Sequence, residues 1–187
     1  MTDPLLPHRV AVWDPFVRLF HWTLVACVVL NLFVLEDGAR AHRYSGYLAF
    51  ALILARCIWG VIGTPYARFA GFWPTPARLC AHLDRLAAGE PDPYPGHNPA
   101  GALMMFALMA GVLALGISGY LMGTDAFWGE EWLEETHEWL ANGLLALAGV
   151  HVLAALLMSR VEGVNLPRAM VTGVKEFRHR HPGARHD

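Results

Sequence analysis

The chain has 187 residues and a net charge of −2, with 55% hydrophobic and only 16% charged residues, where a soluble domain carries nearer a quarter charged. That balance excludes a globally basic nucleic-acid binder, and the gathering of apolar residues into long runs points to lipid as the solvent. The three cysteines, Cys27, Cys57 and Cys80, exclude by number and spacing a disulfide framework, a zinc ribbon and a CxxCH covalent haem site.

The N-terminal MTDPLLPHRVAVWDP shows no apolar stretch followed by a small-residue cleavage site, so no signal peptide is expected. Four runs are long enough to cross a bilayer, which takes about 20 apolar residues in a helix. The first is residues 16–35, FVRLFHWTLVACVVLNLFVL, and the second is residues 44–63, interrupted by Arg56. Between the second and third spans lies a segment of Pro and aromatic residues, 64–98. Its PYARFAGFWPTP reads as a strand-free interfacial loop. Its ARLCAHLDRLAAG reads as a short amphipathic helix with Leu79, Leu83 and Leu86 on one face. The prolines of EPDPYPGHNP end that helix. The third span is residues 99–122 and the fourth about 132–158, its first turns amphipathic. After Arg160 the sequence predicts one amphipathic helix and a loose tail of basic residues and histidines.

Basic residues are segregated. The N-terminus and start of the first span hold Arg9 and Arg18, the long loop Arg68, Arg78 and Arg85, and the tail Arg160, Arg168, Lys175, Arg178, Arg180 and Arg185. The other two loops hold only Arg40 and Arg43. The later of them carries Asp125, Glu130, Glu131, Glu134 and Glu135 with no basic residue. The positive-inside rule then places both termini in the cytoplasm and the acidic loop outside. Trp22, Trp59, Trp73, Trp128 and Trp132 fall near span ends, as an aromatic belt does.

Ionisable side chains within spans are costly and face a bundle interior for a reason. His21 lies in the first span, His42 at the mouth of the second, His137 and His151 in the fourth. Fourteen helical steps bring His137 and His151 to within about 40° of one face and about 21 Å apart along the axis. In an up-down bundle His21 is level with His151 near the cytoplasmic side, and His42 is level with His137 near the outside. A single intramembrane histidine is as readily a packing residue or part of a proton path. Two facing imidazoles at each of two depths are what bis-histidine haem ligation requires.

Arg56 lies fourteen residues beyond His42 on nearly the same face, near the cytoplasmic pair, and either meets a haem propionate there or snorkels to the interface. Glycines at 46, 60, 63, 101, 111, 116, 119, 143 and 149 either clear room for a macrocycle or let helices pack closely. His82, His97, His179, His181 and His186 read as solvated. His97 stands in GHNP, where it either lies by the inner haem or caps the third span.

The sequence resembles the bacterial cytochrome b561 family, which includes the cytochrome b subunits of nickel–iron hydrogenases and the membrane subunits of formate dehydrogenases. The matching segments are VRLFHW (17–22), HRYSGYLAF (42–50), RCIWGVIG (56–63), YARF (66–69), GHNPAGALM (96–104), HEWLANGLLALAGVH (137–151) and NLPRAMVTGVK (165–175). The resemblance implies two haem b groups, His21 with His151 for the cytoplasmic one and His42 with His137 for the periplasmic one. It further implies a quinone site (ubiquinone or menaquinone) beside the inner haem and an electron-exchanging partner outside.

The chain is shorter than the hydrogenase and dehydrogenase subunits and its outer loops are brief. That fits a small soluble periplasmic donor or acceptor such as a cytochrome c. The acidic loop either meets such a partner or merely reflects the exclusion of basic residues from outside loops.

The expected molecule is therefore an all-α, four-helix, up-down bundle of the bacterial inner membrane. Residues 1–160 form a di-haem cytochrome b domain, and residues 161–187 form a cytoplasmic amphipathic and basic tail. The expected function is electron transfer between a periplasmic partner and the quinone pool of a respiratory chain. One competing expectation is a superoxide:ubiquinone oxidoreductase that draws its anion in through Arg40 and Arg43 beside His42. Another is a haem-free membrane anchor of a redox complex.

Overall fold

A computed structural model describes residues 9–90 and 94–177. Four helices are long and apolar enough to span a membrane: α1 (Pro15–Phe33), α2 (Arg40–Ile62), α5 (Pro99–Leu121) and α6 (Glu131–Val161). Shorter elements decorate one end. These are β1 (Arg9–Ala11), α3 (Phe69–Phe72), α4 (Pro76–Ala87), α7 (Leu166–Thr172) and β2 (Val174–Glu176). The four spans lie within a few residues of the apolar runs, and α4 is the amphipathic helix expected in the 64–98 segment. The stretch expected as plain loop contains the single turn α3, because the aromatic pair Phe69 and Phe72 folds inward there.

Local sequence sets the helix starts. α1, α4, α5 and α7 each follow a polar cap, Asp14, Thr75, Asn98 and Asn165, whose side chain accepts a hydrogen bond from an amide of the first turn. Each also has proline in its first turn, where no amide bond is forfeited.

The helices follow the order α1, α2, α5, α6, each packed closely on the next. Phe20, Cys27, Ala49, Ile53, Met109, Val112 and Leu144 form the buried centre. Outside it, residues such as Leu19, Val61 and Ile62 are mostly exposed, as lipid-facing side chains are. Apolar burial does little to join helices in lipid, so close fit matters more. Gly116 gives its place to the Phe50 ring and Gly60 to the Phe69 ring, and a Cβ at either would collide with that ring. The cysteines are free, Cys27 buried, Cys57 partly so and Cys80 exposed.

The two ends of the described chain meet. β1 pairs antiparallel with β2, Val10 opposite Lys175, and Arg9 forms an ion pair with Glu176. The described part of the tail thus continues beyond its helix into a strand, a pairing of three residues on each side that is too short to show a sequence period. Gly173 ends α7 at φ 87°, and its carbonyl accepts from the amides of Val12 and Trp13 at 2.9 and 3.0 Å. A Cβ there would lie 2.7 Å from the Trp13 carbonyl oxygen, so both the backbone conformation and the close approach call for glycine. Val12, Trp13, Val17, Ala67 and Ala169 bury themselves at this junction. Four spans and the β1–β2 pairing put both ends of the described chain on one face of the bundle.

Asp14 fastens this face to α2. One carboxylate oxygen accepts from the Val17 amide at 2.9 Å. The other accepts from Trp59 Nε1 at 3.0 Å and Thr64 Oγ1 at 2.6 Å. Burial alone would raise the Asp14 carboxyl, but these bonds and the Phe16 amide outweigh it and hold it below the usual 3.8. Asp14→Ala is expected to cost about 1–3 kcal/mol in detergent unfolding. Because the folded value is depressed, the carboxylate's contribution is present above pH 3.8 and fades as the pH falls through that lowered value. The gap between Asp14→Asn and the parent therefore narrows in acid, and unfolding midpoints taken across pH 3–7 check it.

Candidate functional site

His42 stands in the first turn of α2 and His137 in the second turn of α6, so both side chains sit at the end of the bundle opposite the termini. Their ring centres are 6.4 Å apart with planes inclined by 58°. Two metal–imidazole bonds of about 2.0–2.1 Å, each extended by roughly 1.1 Å to the ring centre, place coaxial imidazoles about 6.3 Å apart. The observed spacing matches.

Ser118 Oγ of α5 lies 2.8 Å from His137 Nδ1, which fixes that ring and leaves Nε2 for a metal, the outer-shell arrangement common to metal-bound histidine. Gly119 makes the space, since a Cβ there would sit 3.2 Å from the His137 ring. His42 Nδ1 is buried without a hydrogen-bond partner, and the nearest carboxylate oxygen, of exposed Asp37, is 3.8 Å away.

At the terminal face the second pair is His21 of α1 and His151 of α6, close enough to interact electrostatically. His21 Nδ1 is likewise buried and unpartnered, and its ring meets Trp22 edge-on. The helices carrying each pair are not close neighbours: α6 makes its close contacts with α5 and α7, not with α1 or α2.

Among the described residues, no group of three or more His, Cys, Asp or Glu gathers as a metal cage would need. Histidines in twos suit an iron that arrives with four in-plane nitrogens of its own. By donor set, spacing and orphaned ring nitrogens, these residues fit haem.

Arg56 does not snorkel. It is 2% exposed, donates from one Nη to the Ala67 carbonyl at 3.0 Å, and lies 4.7 Å over the Phe69 ring. Its other Nη is buried without a partner.

His97 and His82 are not solvated as the sequence suggested. His82 is 4% exposed because α4 packs back on α5. His97 lies between Trp13, which it meets edge-on, and Phe72, which is tilted to it, each ring centre 4.7 Å away. The cap of α5 belongs to its neighbour, with Asn98 Oδ1 accepting from the Gly101 amide at 2.7 Å. Burial, then the positive charges of Arg56 and Lys175, drive the His97 imidazole down to about 3, so it is neutral. His179, His181 and His186 lie outside the described residues.

Three polar features escaped the sequence reading. Ser118 serves His137. Asn31 Oδ1 and Ser45 Oγ are buried and unpartnered on the two helices flanking the outer site. Beside His97, Lys175 Nζ lies 3.4 Å from a Glu162 carboxylate oxygen and donates to the Gly96 carbonyl at 3.3 Å. Asn98 Nδ2 donates to the other Glu162 oxygen at 3.3 Å. A lone serine in an otherwise apolar helix was the available signal for Ser118. The Glu162 network joins residues far apart in sequence and leaves no local trace.

The chain is 24% identical to a "Probable Ni/Fe-hydrogenase B-type cytochrome subunit" of Azotobacter vinelandii, over 92% of this chain and 91% of that one. It is 23% identical, over the same shares, to the protein of the same name from Azotobacter chroococcum mcd 1. No solved structure matches. The profile described as prokaryotic cytochrome b561 matches residues 12–173. The chain belongs to that family, and is thus a multi-pass protein of the bacterial inner membrane serving electron transfer with b-type haem.

Proposed function

We propose that this cytochrome holds two haems, one between His42 and His137 and one between His21 and His151, and carries electrons between a periplasmic partner and the quinone pool. The observation that carries the reading is the 6.4 Å spacing of the His42 and His137 rings, brought together from α2 and α6. Haem, when bound, supplies a reversible one-electron iron couple at each level.

The rest is the work of the chain. His42 with His137 and His21 with His151 would each hold one haem, and paired imidazoles favour a low-spin iron. Ser118 fixes the His137 tautomer and so the electron donation of that ligand. Apolar side chains of α1, α2, α5 and α6 form the buried centre of the bundle, and Arg56 sets a buried positive charge against the Ala67 carbonyl and the Phe69 ring.

Arginine and lysine placement orients the terminal face to the cytoplasm. The His42–His137 level then lies at the periplasmic side, below the brief acidic loop of residues 125–135 that would meet a basic partner such as a cytochrome c. Quinone chemistry belongs beside the inner pair.

Purified protein is expected to show two low-spin haems per chain by pyridine haemochrome, both reduced by a soluble quinol analogue. A colourless protein would support the haem-free anchor instead. Arg40 and Arg43 flank His42 in the first turn of α2, which favours one further reading, superoxide as the outer electron donor. A stopped-flow phase of rapid haem reduction by superoxide would establish it, and a conduit to a protein partner shows none.

A further inference from the structure

Three polar side-chain atoms at the outer level are enclosed yet bond to nothing among the described residues: His42 Nδ1 and Ser45 Oγ on α2, and Asn31 Oδ1 on α1. Buried polar groups in folded proteins are paired with protein or with ordered water, so three orphans in one place call for one cause. The place is shared. His42 and Gly46 stand four residues apart on one face of α2, and Ser45 is three residues from His42. Asn31 reaches that face from α1, its Nδ2 3.7 Å from where a Cβ on Gly46 would stand. α1 and α2 pack closely on one another.

Ser45 departs from the habit of the other helical hydroxyls. Ser118, Thr136, Ser159 and Thr172 each donate to a carbonyl three or four residues back along the chain. Ser45 Oγ makes no such bond. Asp37 does not serve His42 either: its carboxylate is 3.8 Å from Nδ1, too far for a hydrogen bond, and its side chain is 98% exposed.

We propose that His42, Ser45 and Asn31 enclose a binding site for one water molecule, which accepts the His42 Nδ1–H and donates to Asn31 Oδ1 and Ser45 Oγ. The site rests on the reading of His42 as a haem ligand: with Nε2 on iron, Nδ1 carries the proton and is a donor. One donor and two acceptors match the roughly three bonds a buried water makes. The water does for His42 what Ser118 does for His137. An acceptor on Nδ1 makes the imidazole more electron-rich. That favours the ferric over the ferrous iron, so Asn31 and Ser45 are positioning residues that hold the outer potential down.

The test is redox titration of the full-length protein, the outer haem being the one lost in His137→Ala. Asn31→Leu and Ser45→Ala each take one acceptor from the water. Each should raise the ferrous-to-ferric ratio of the outer haem at fixed potential by roughly threefold to tenfold, the worth of an ordinary hydrogen bond, and leave the inner haem unmoved. Ser45→Ala suffices alone if Asn31→Leu folds poorly. Because both act through one water, the double variant should fall short of the two shifts added together. A redox-difference infrared spectrum of the parent should carry an O–H stretch that moves in H218O and is missing from both variants. Single variants that leave the outer potential in place, or shifts that add in full, overturn the water site but leave the histidine pair standing. A parent protein with no outer haem overturns both.

Discussion

His137→Ala is expected to halve the haem content, from two per chain to one, and His151→Ala to do the same at the other level. On that assignment each would remove one of the two imidazoles that would hold its haem, and among the described residues no third donor gathers to replace it. The two losses should be independent, because His137 and His151 are about 21 Å apart along one helix. Pyridine haemochrome and redox titration of each variant distinguish them: one potential vanishes and the other stays within a few tens of millivolts. Ser118→Ala offers the finer test. It should keep both haems but move the potential of the outer one, since His137 Nδ1 loses its 2.8 Å partner. If either histidine variant retained two bis-histidine haems, the assignment of that pair would be wrong.

Lys175→Met should destabilise the protein by about 3–5 kcal/mol, the usual result of leaving one member of a buried ion pair alone. Both side chains are nearly enclosed, at 5% and 7% exposure. Glu162 is also the acceptor for Asn98, the residue that caps α5. Losing Lys175 therefore strands a carboxylate that ties the end of α6 to the start of α5. Glu162→Gln should cost less, because an amide still accepts from Asn98. Combining Lys175→Met with Glu162→Gln should recover part of the loss. Denaturant unfolding in detergent measures all three, and a strictly additive double variant would show that the pair is not coupled.

The spans were legible because a bilayer demands long apolar runs, and Pro15, Pro76 and Pro99 behind polar caps even mark where three helices start. The histidines were legible because charge-capable side chains stand out in such runs. Helical spacing placed His137 and His151 on one face, and reversal of direction matched each to a partner. What stayed hidden depends on tertiary closeness. His82 reads as polar loop decoration until α4 folds back on α5. Lys175 reads as one more cytoplasmic charge until β2 pairs with β1 and carries it inside, where Glu162 waits. Arg56 was seen as either a propionate partner or a snorkelling residue, and the Ala67 carbonyl and Phe69 ring that hold it inward belong to a loop whose path the sequence does not dictate.

The contact between Arg9 and Glu176 spans 167 positions of the chain. During synthesis β1 emerges before the four spans and its partner after them, so β1 has nothing to pair with until all four crossings have been inserted. Assembly of this molecule thus ends with a latch rather than beginning with one. A ribosome product truncated before Gly173 would be threaded through the bilayer correctly yet left unfastened, an easy target for membrane quality-control proteases.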